Sequence, residues 1–218
     1  MIQITYCSTE VFLSNALVFC SFNNNYKITP EVFGLWMDIL REVPGSVLWL
    51  LVPRHPQRFD EVAALLTGAG LKVSRRSQWA EAGPSAADWQ ADVWLGDSLG
   101  EMALYYGLAD LALLGGSFAP LGGQNLIEAA ACGCPVVMGP HTFNFSEAAE
   151  RAEACGAAVR VADMGEACGL AAELLKDGVR LAAARQGAVA LIDGGRGAVL
   201  RTVEVVLAAV AAGPERQG

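Results

Sequence analysis

The chain has 218 residues, of which 53% are hydrophobic and 17% are charged, and its formal net charge is −8. This composition indicates a packed globular protein rather than a disordered one, and the length suffices for one large core or two small ones. The acidic balance argues against nucleic acid and against anionic lipid as partners, because both attract basic surfaces.

No apolar run of the sequence reaches the roughly 18 residues that a membrane-spanning helix needs. The first 16 residues, MIQITYCSTEVFLSNA, lack the basic start and the long apolar core of a secretion signal. We therefore expect no transmembrane segment in this chain, and a location in the cytoplasm or at most on the inner face of a membrane.

The six cysteines show no C-x-x-C spacing, and the chain has only two histidines. A zinc site is therefore not expected. Cys132-Gly-Cys134 could hold a soft metal, but small buried thiols behind a helix are the commoner case. We expect neither a metal nor a cofactor.

Short aliphatic runs alternate with amphipathic, alanine-rich stretches along the chain. The predicted strands cover residues 16–22, 46–52, 71–77, 91–97, 109–116, 135–139 and 157–163. The predicted helices cover residues 29–43, 57–70, 98–108, the alanine-rich stretch after Gly122-Gly123, residues 146–156 and most of the remainder to residue 211. This alternation predicts an α/β fold, a Rossmann-like parallel sheet with helices on both faces.

The boundaries of the domain follow from the same pattern. Residues 16–211 are predicted to form one domain, preceded by an extension over residues 1–15 and followed by a disordered tail over residues 212–218. The polar stretch 77–90 is the only plausible linker, and it is alternatively a surface loop.

Four polar or glycine-rich turns each follow a predicted strand: residues 53–55, 96–101, 115–125 and 139–145. Ligands of open α/β sheets bind at the carboxyl ends of the strands. The four turns therefore predict one ligand site at one edge of the sheet.

Asn125 and Glu128 lie one helical turn apart, directly after Gly122-Gly123. Helix N-termini attract phosphate, Arg54 adds a cation, and the Glu128 carboxylate can accept hydrogen bonds from both hydroxyls of a ribose. Together these features suggest a nucleotide site. The same spacing also fits a capping box, in which Asn125 caps the helix and Glu128 reaches back to it.

Other residues have equally simple structural interpretations. His55 can be a core histidine, His141 a loop residue, Gly115-Gly116 a tight turn and Glu101 a first-turn acid, while Arg58 and the pair Arg75-Arg76 are most simply solvated charges. The sequence contains no Walker motif, no G-x-G-x-x-G after a strand and no Asp-x-Asp pair.

Four motifs carry a resemblance to a known family. They are VPRHPQRFDEV (52–62), GDSLGEMALYYGLADLALLGGSF (96–118), GGQNLIEAA (122–130) and GPHTFNFSEAA (139–149). From about residue 50 to residue 180 the chain resembles the carboxyl-terminal half of bacterial 3-deoxy-D-manno-octulosonic acid (Kdo) transferase. The resemblance implies one half of a two-domain GT-B glycosyltransferase, the half that binds the donor CMP-Kdo.

The resemblance also implies donor-binding residues. Arg54 and His55 would lie at the nucleotide, Gly100, Glu101 and Met102 would contact the CMP, Gly116 and Ser117 would line the phosphate turn, and Asn125 with Glu128 would hold the ribose and neighbouring groups. The sequence has Gln124 where many members have histidine and Met102 where leucine is common.

A second resemblance covers the segment VFCSFNNNYKITPEVFGLWMDILREVPGSVLWLL (18–51). It is similar to protein O-linked N-acetylglucosamine transferases, which are also GT-B enzymes. That resemblance implies that Lys27, with Asn24 nearby, contacts the donor diphosphate, and it gives UDP-GlcNAc as the alternative donor. The chain thus resembles a mosaic of two donor-binding half-domains.

The expected function is donor binding, with transfer of Kdo from CMP-Kdo to a lipid A precursor as the parent activity. The resemblance places the catalytic carboxylate, the acceptor site and the membrane anchor at the inner face of the inner membrane in an amino-terminal domain with no counterpart here, so no catalytic residue is assigned. The alternatives are a UDP-GlcNAc-binding fragment and a nucleotide-binding module without turnover.

Overall fold

The computed structural model describes residues 17–22, 28–51, 56–80, 83–98, 100–195 and 202–208, without the side chains of residues 56–58. Seven strands form its sheet: β1 (Val18–Phe22), β2 (Val47–Leu51), β3 (Val73–Arg75), β4 (Val93–Gly96), β5 (Leu111–Leu114), β6 (Val136–Met138) and β7 (Ala158–Arg160).

The strands lie in the order β3-β4-β2-β1-β5-β6-β7, and every neighbouring pair is parallel. The first strand is therefore central, with β2 on one side and β5 on the other. The chain builds the β2 side first and then crosses to β5, so the strand order reverses between β1 and β5. Such a reversal is the position at which open parallel sheets form a ligand crevice.

Eight helices connect or follow these strands within the described ranges: α1 (Pro30–Glu42), α2 (Pro56–Gly68), α3 (Ala86–Trp89), α4 (Met102–Leu108), α5 (Ile127–Ala131), α6 (Ser146–Ala154), α7 (Met164–Lys176) and α8 (Gly178–Gly195). Residues 202–208 are also helical. Two short 3₁₀ turns occupy Arg76–Gln78 and Gly115–Ser117.

The helices cover both faces of the sheet, because all the strands except the edge strands β3 and β7 are buried almost throughout. Helices α1, α2 and α7 pack on the face that contains Phe19 of β1. Helices α4, α5, α6 and α8 pack on the opposite face, against Val18, Cys20 and Phe22. No described helix is both long and apolar enough to cross a membrane.

The predicted α/β class is confirmed, and helix α1 begins as expected. Its N-cap is Thr29, whose hydroxyl accepts a hydrogen bond from the Val32 N–H at 3.3 Å, and Pro30 occupies the first helical position. The predicted extension (1–15) and tail (212–218) lie outside the described residues, and the domain boundaries stay a prediction.

Residues 77–90 are not a linker between two domains, because β3 before them and β4 after them pair in one sheet. The alternative, a surface connection, fits most of the described residues, which are exposed. Trp79 and Trp89 from this stretch pack against Trp94, with ring centroids 5.9 and 5.3 Å away. Ser85 and Asp88 form a capping box at the start of α3. The polar composition concealed a capped helix and two half-buried tryptophans that pack against the core.

Two helices are shorter than predicted. The helix expected over residues 98–108 begins only at Met102, and the helix expected after Gly122-Gly123 is limited to Ile127–Ala131. In both places the preceding residues form the loop at the carboxyl edge of the sheet instead of a first helical turn.

Two glycines within helices test the packing of this fold. A Cβ on Gly187 of α8 would meet the Cys155 carbonyl oxygen and lie 2.7 Å from the carbonyl carbon of Gly156, whereas a Cβ on Gly169 of α7 would meet nothing within 4 Å. We expect Gly187→Ala to lower the free energy of unfolding by about 2 kcal/mol through overpacking. Gly169→Ala is the matched control and should raise it by about 0.5–1 kcal/mol.

Urea unfolding of both variants, followed by circular dichroism, measures the two changes. Equal stability of Gly187→Ala and the wild type would show that α8 does not pack closely on the turn before β7.

Candidate functional site

The candidate site lies where strands β1 and β5 end side by side. Phe19 and Cys20 pair with Leu111 and Ala112 in the ladder, and the Ser21 hydroxyl donates to the Leu113 carbonyl at 3.1 Å. The two strands therefore deliver their following segments to the same point of the edge. On the β5 side this segment runs through residues 115–126 to helix α5.

Ser117 joins the loops that follow β5 and β6. It is fully buried. Its hydroxyl donates to the Leu114 carbonyl at 2.5 Å and accepts from the Gly139 N–H at 2.7 Å, while its carbonyl accepts from the His141 N–H at 2.9 Å. The Ser117 side chain therefore fixes the shape of the edge, and its single donor hydrogen is used within the fold.

Gly122 and Gly123 adopt φ values of +78° and +74°, which side chains rarely tolerate. Both are buried. A Cβ on Gly122 would lie 2.5 Å from Cγ of Asn144 and 2.7 Å from Cε2 of Phe143. The Gly123 N–H donates to the Gly116 carbonyl at 3.3 Å. The glycines are thus required by close packing of two loops, and they are not an open cradle for phosphate.

Gln124 has a role that sequence reasoning left undefined. Its side-chain Nε2 donates to the Phe22 carbonyl at the end of β1. This bond closes the loop over the carboxyl end of the central strand. The departure from the histidine common in the Kdo transferases was the available signal, but only the fold places Phe22 within reach.

Asn125 and Glu128 are both exposed on the outer side of this loop. The Asn125 side-chain oxygen accepts from the Ile127 N–H at 3.1 Å, so Asn125 does stabilise the start of α5. Among the described residues, Glu128 has no hydrogen-bond or ion-pair partner, so the predicted capping box does not form. Asn125 therefore caps the start of the helix, whereas the Glu128 carboxylate is without a polar partner among the described residues.

Glu101 lies at the other end of the site, in the turn after β4. One carboxylate oxygen accepts from Arg76 at 2.7 Å, and the other accepts from the hydroxyls of Ser98 and Tyr105. Burial raises the pKa of Glu101, but the Ser98 hydrogen bond and the Arg76 charge outweigh it and hold this pKa below its ordinary value. Burial raises the pKa of Tyr105 to about 12.

Gly100 and Met102 flank Glu101. Gly100 is exposed with φ +80°, and Met102 is half-buried at the first position of α4. Strands β2 and β1 separate β4 from β5, which puts the two turns about 14 Å apart at three strand spacings. Helix α4 spans part of this gap, since Tyr105 packs against Phe22 with ring centroids 5.9 Å apart.

A pocket of about 400 Å³ opens beside the ends of β6 and β7. His141 and the 62% exposed Phe143 line it. Arg160 also lines the pocket. Its guanidinium donates to the Glu153 carboxylate at 2.8 Å and to the Thr142 hydroxyl at 2.6 Å. His141 thus lines a cavity rather than the core.

Gly116, Ser117, Asn125 and Glu128 belong to one continuous loop, whereas Gly100, Glu101 and Met102 form a second group. Lys27, Arg54 and His55 lie outside the described residues, so their predicted contacts with the nucleotide stay predictions. Arg75 and Arg76 are not the solvated charges that the sequence suggested, because Arg75 pairs with Asp60 at 2.7 Å and Arg76 pairs with Glu101.

Comparison with known proteins identifies two families. Residues 2–77 match the model of glycosyl transferase family 41. The 3-deoxy-D-manno-octulosonic acid transferase of Bordetella pertussis is 52% identical over 159 residues, which are 73% of this chain and 36% of that protein. The chain therefore spans about a third of the length of this relative.

Two solved structures show the same fold. The C-terminal CMP-Kdo binding domain of WaaA from Acinetobacter baumannii superposes with a TM-score of 0.67 at 27% identity, over 84% of this chain and 93% of that domain. An O-GlcNAc transferase mutant from Thermobaculum terrenum superposes with a TM-score of 0.58 at 21% identity, over 82% of this chain and 32% of that protein.

Both predicted resemblances thus find a match, and that to the Kdo transferases is the stronger one. The fold is one half of a GT-B glycosyltransferase, and the chain resembles the carboxyl-terminal domain of the Kdo transferases.

Proposed function

We propose that this chain binds a nucleotide sugar, and that it is the donor-binding domain of a glycosyltransferase that transfers Kdo from CMP-Kdo. Three features support the proposal: the position of the site at the reversal of strand order, the similarity to a domain described as CMP-Kdo binding, and the carboxylate of Glu128.

Glu128 is the observation that carries the proposal. The carboxylates of Glu101 and Glu153 at the same edge are occupied by Arg76 and Arg160, respectively. Glu128 is exposed and has no polar partner in the part of the chain that the structure describes. An ionised carboxylate accepts several hydrogen bonds and donates none, which suits the two hydroxyls of a ribose.

The phosphate of the donor needs cations or N–H groups that stabilise the charge of the leaving nucleotide. Gly122 is buried beneath Phe143 and Asn144, and Gly123 is buried beneath His141 and Thr142, so the two glycines do not present an open face to the phosphate. We assign the phosphate instead to Lys27 and Arg54, on the basis of the two resemblances alone. No metal or cofactor takes part in this proposal.

Transfer itself needs an acceptor and a general base. The resemblance assigns both to the amino-terminal domain of the Kdo transferases, with a lipid A precursor as acceptor at the inner face of the inner membrane. Donor binding is the step for which residues of this chain account. A module that binds nucleotide without turnover is the corresponding alternative for the 218 residues alone.

UDP-GlcNAc is the second candidate donor, and the match of residues 2–77 to glycosyl transferase family 41 favours it. The segment involved contains β1, α1, β2, α2 and β3. The loops that follow β4, β5 and β6 lie in the part that resembles the Kdo transferases. Because most of the candidate site comes from those loops, we rank CMP above UDP.

Calorimetric titration of the purified chain with CMP and with UDP tests the proposed donor. We expect CMP to bind at least about tenfold more tightly, a difference of about 1.4 kcal/mol. A preference for UDP would reverse the ranking, and the failure of both nucleotides to bind would contradict the proposal. Adding CMP-Kdo and acceptor to the chain that binds CMP then distinguishes a transferase from a binding module.

Replacement of the free carboxylate tests the site itself. We expect Glu128→Ala to weaken CMP binding by about 1.5 kcal/mol or more, because hydrogen bonds to a charged group are lost. Glu42→Ala is the matched control, since Glu42 is an exposed carboxylate at the last residue of α1, where α1 reaches the opposite edge of the sheet. Unchanged CMP affinity together with a lowered melting temperature in Glu128→Ala would show a purely structural role.

A further inference from the structure

Arg76 is the charged side chain that the sequence left without a role. It begins the 3₁₀ turn after β3, and its guanidinium pairs with Glu101 at 2.7 Å. Both side chains are only 26% exposed. A solvated arginine would be far more exposed and mobile, so this pair is part of the fold.

The guanidinium of Arg76 is fixed on a rigid support. It lies over the ring of Trp79, 5.3 Å from the centroid, in a cation–π contact. The Trp79 indole N–H donates to the Ser74 hydroxyl at 2.7 Å, and its ring packs against Trp49 and Trp94. The position of the charge is therefore set by the aromatic core beneath it.

The carboxylate of Glu101 is fully engaged by internal donors. Arg76 occupies Oε1, and the hydroxyls of Ser98 and Tyr105 occupy Oε2. These donors come from the turn after β3, the turn after β4 and helix α4. The Glu101 carboxylate therefore connects these three segments, and we call this connection the tie. The neighbouring residue, Gly100, remains exposed.

We propose that Arg76 is a positioning residue of the nucleotide site, which acts on the ligand through Glu101. The ion pair ties the turn after β3 to the turn that precedes α4. It thereby holds Gly100 and Met102 in the arrangement in which they meet the nucleotide. Glu101 serves as the tie and is not itself a ligand of the nucleotide. The inference rests on the proposed function, because it concerns the CMP contacts assigned to Gly100 and Met102, and it replaces the contact that the resemblance implies for Glu101.

The proposal predicts a specific pH dependence. Burial raises the pKa of Glu101, and the Ser98 bond and the Arg76 charge oppose it. The groups that face Glu101 are Arg76 and Tyr105, while the nearby Asp97 is held by the N–H and hydroxyl of Ser77. Without the Arg76 charge the pKa of Glu101 rises. The ion pair needs an ionised Glu101, so the wild type keeps the tie at any pH above the lowered pKa of Glu101 and loses it only below that pKa.

Calorimetric titration of CMP into wild type and Arg76→Met, from about pH 8 down to about pH 5, tests this. The ratio of their dissociation constants removes the titration of the CMP phosphate. We expect a ratio of about 10 that stays constant over this range, because Glu101 stays ionised in the wild type and the tie is absent from Arg76→Met at every pH. Arg76→Lys keeps the charge and should restore binding to within about threefold of wild type, which also covers the case that Arg76→Met is poorly folded.

Two further variants separate this role from general damage. Glu101→Gln should weaken CMP binding about as much as Arg76→Met, and the double variant should be no weaker than either single one, because both changes break the same tie. Arg75→Met is the matched control, since it removes the neighbouring ion pair with Asp60, whose side chain is 72% exposed. It should bind CMP within about twofold of wild type.

Additive losses in the double variant, a ratio that grows as the pH falls from about 8 to about 5, or unchanged binding by Arg76→Met would each overturn the inference. Failure of the wild type to bind CMP would overturn both this role and the proposed function. Titration of the Glu101 carboxyl group by NMR tests the tie separately from the proposed donor. The pKa of Glu101 rises in Arg76→Met if the tie exists, whether or not the nucleotide is CMP.

Discussion

Strand β1 determines where everything else in this molecule lies. Its five residues are buried on both faces, and the two halves of the sheet extend from it in opposite directions. The strand order of this sheet reverses between β1 and β5, and a crevice forms there at the carboxyl ends of the two strands. The bond from Gln124 to the Phe22 carbonyl then fixes the longest loop of the edge over the central strand.

The two resemblances meet at the same strand. Residues 18–51 contribute β1 and β2, and the Kdo transferase-like part contributes the remaining strands. The two parts nevertheless form one ladder, with Val18 paired to Val47 and Phe19 paired to Leu111. Phe22 also packs on Tyr106, with ring centroids 4.7 Å apart. The mosaic therefore folds as one sheet with continuous cores, whichever nucleotide it binds.

Several features could be predicted because they depend on local chemistry or on strand direction. The aliphatic runs gave all seven strands, Thr29 with Pro30 gave the start of α1, and parallel strands placed the turns at one edge. Other features depend on residues distant in sequence. The Arg76–Glu101 pair joins positions 25 residues apart, and the Gln124–Phe22 bond joins positions 102 residues apart. No periodicity or cap signal reports such contacts.

Gly122 and Gly123 are a second case in which contacts with distant residues could not be predicted from the local sequence. Gly122 and Gly123 precede a predicted helix N-terminus, which the sequence offered as a phosphate site. In the structure a Cβ on Gly122 would meet Phe143 and Asn144, and a Cβ on Gly123 would lie 3.2 Å from the His141 carbonyl oxygen, so partners within the fold, invisible in the local sequence, take the space. The same uncertainty applied to Asn125 and Glu128, where only the exposed and unpaired state of Glu128 distinguished a ligand contact from a cap.

The central claim is that the nucleotide binds at the carboxyl edge beside β1 and β5. Amide chemical-shift mapping by NMR during a CMP titration tests it most directly. The account predicts shifts that saturate together at residues 100–102 and 122–128, with none at Ser46, Asp92 and Asp110, which precede β2, β4 and β5 at the opposite edge. Shifts confined to that opposite edge, or none at saturating CMP, would contradict it.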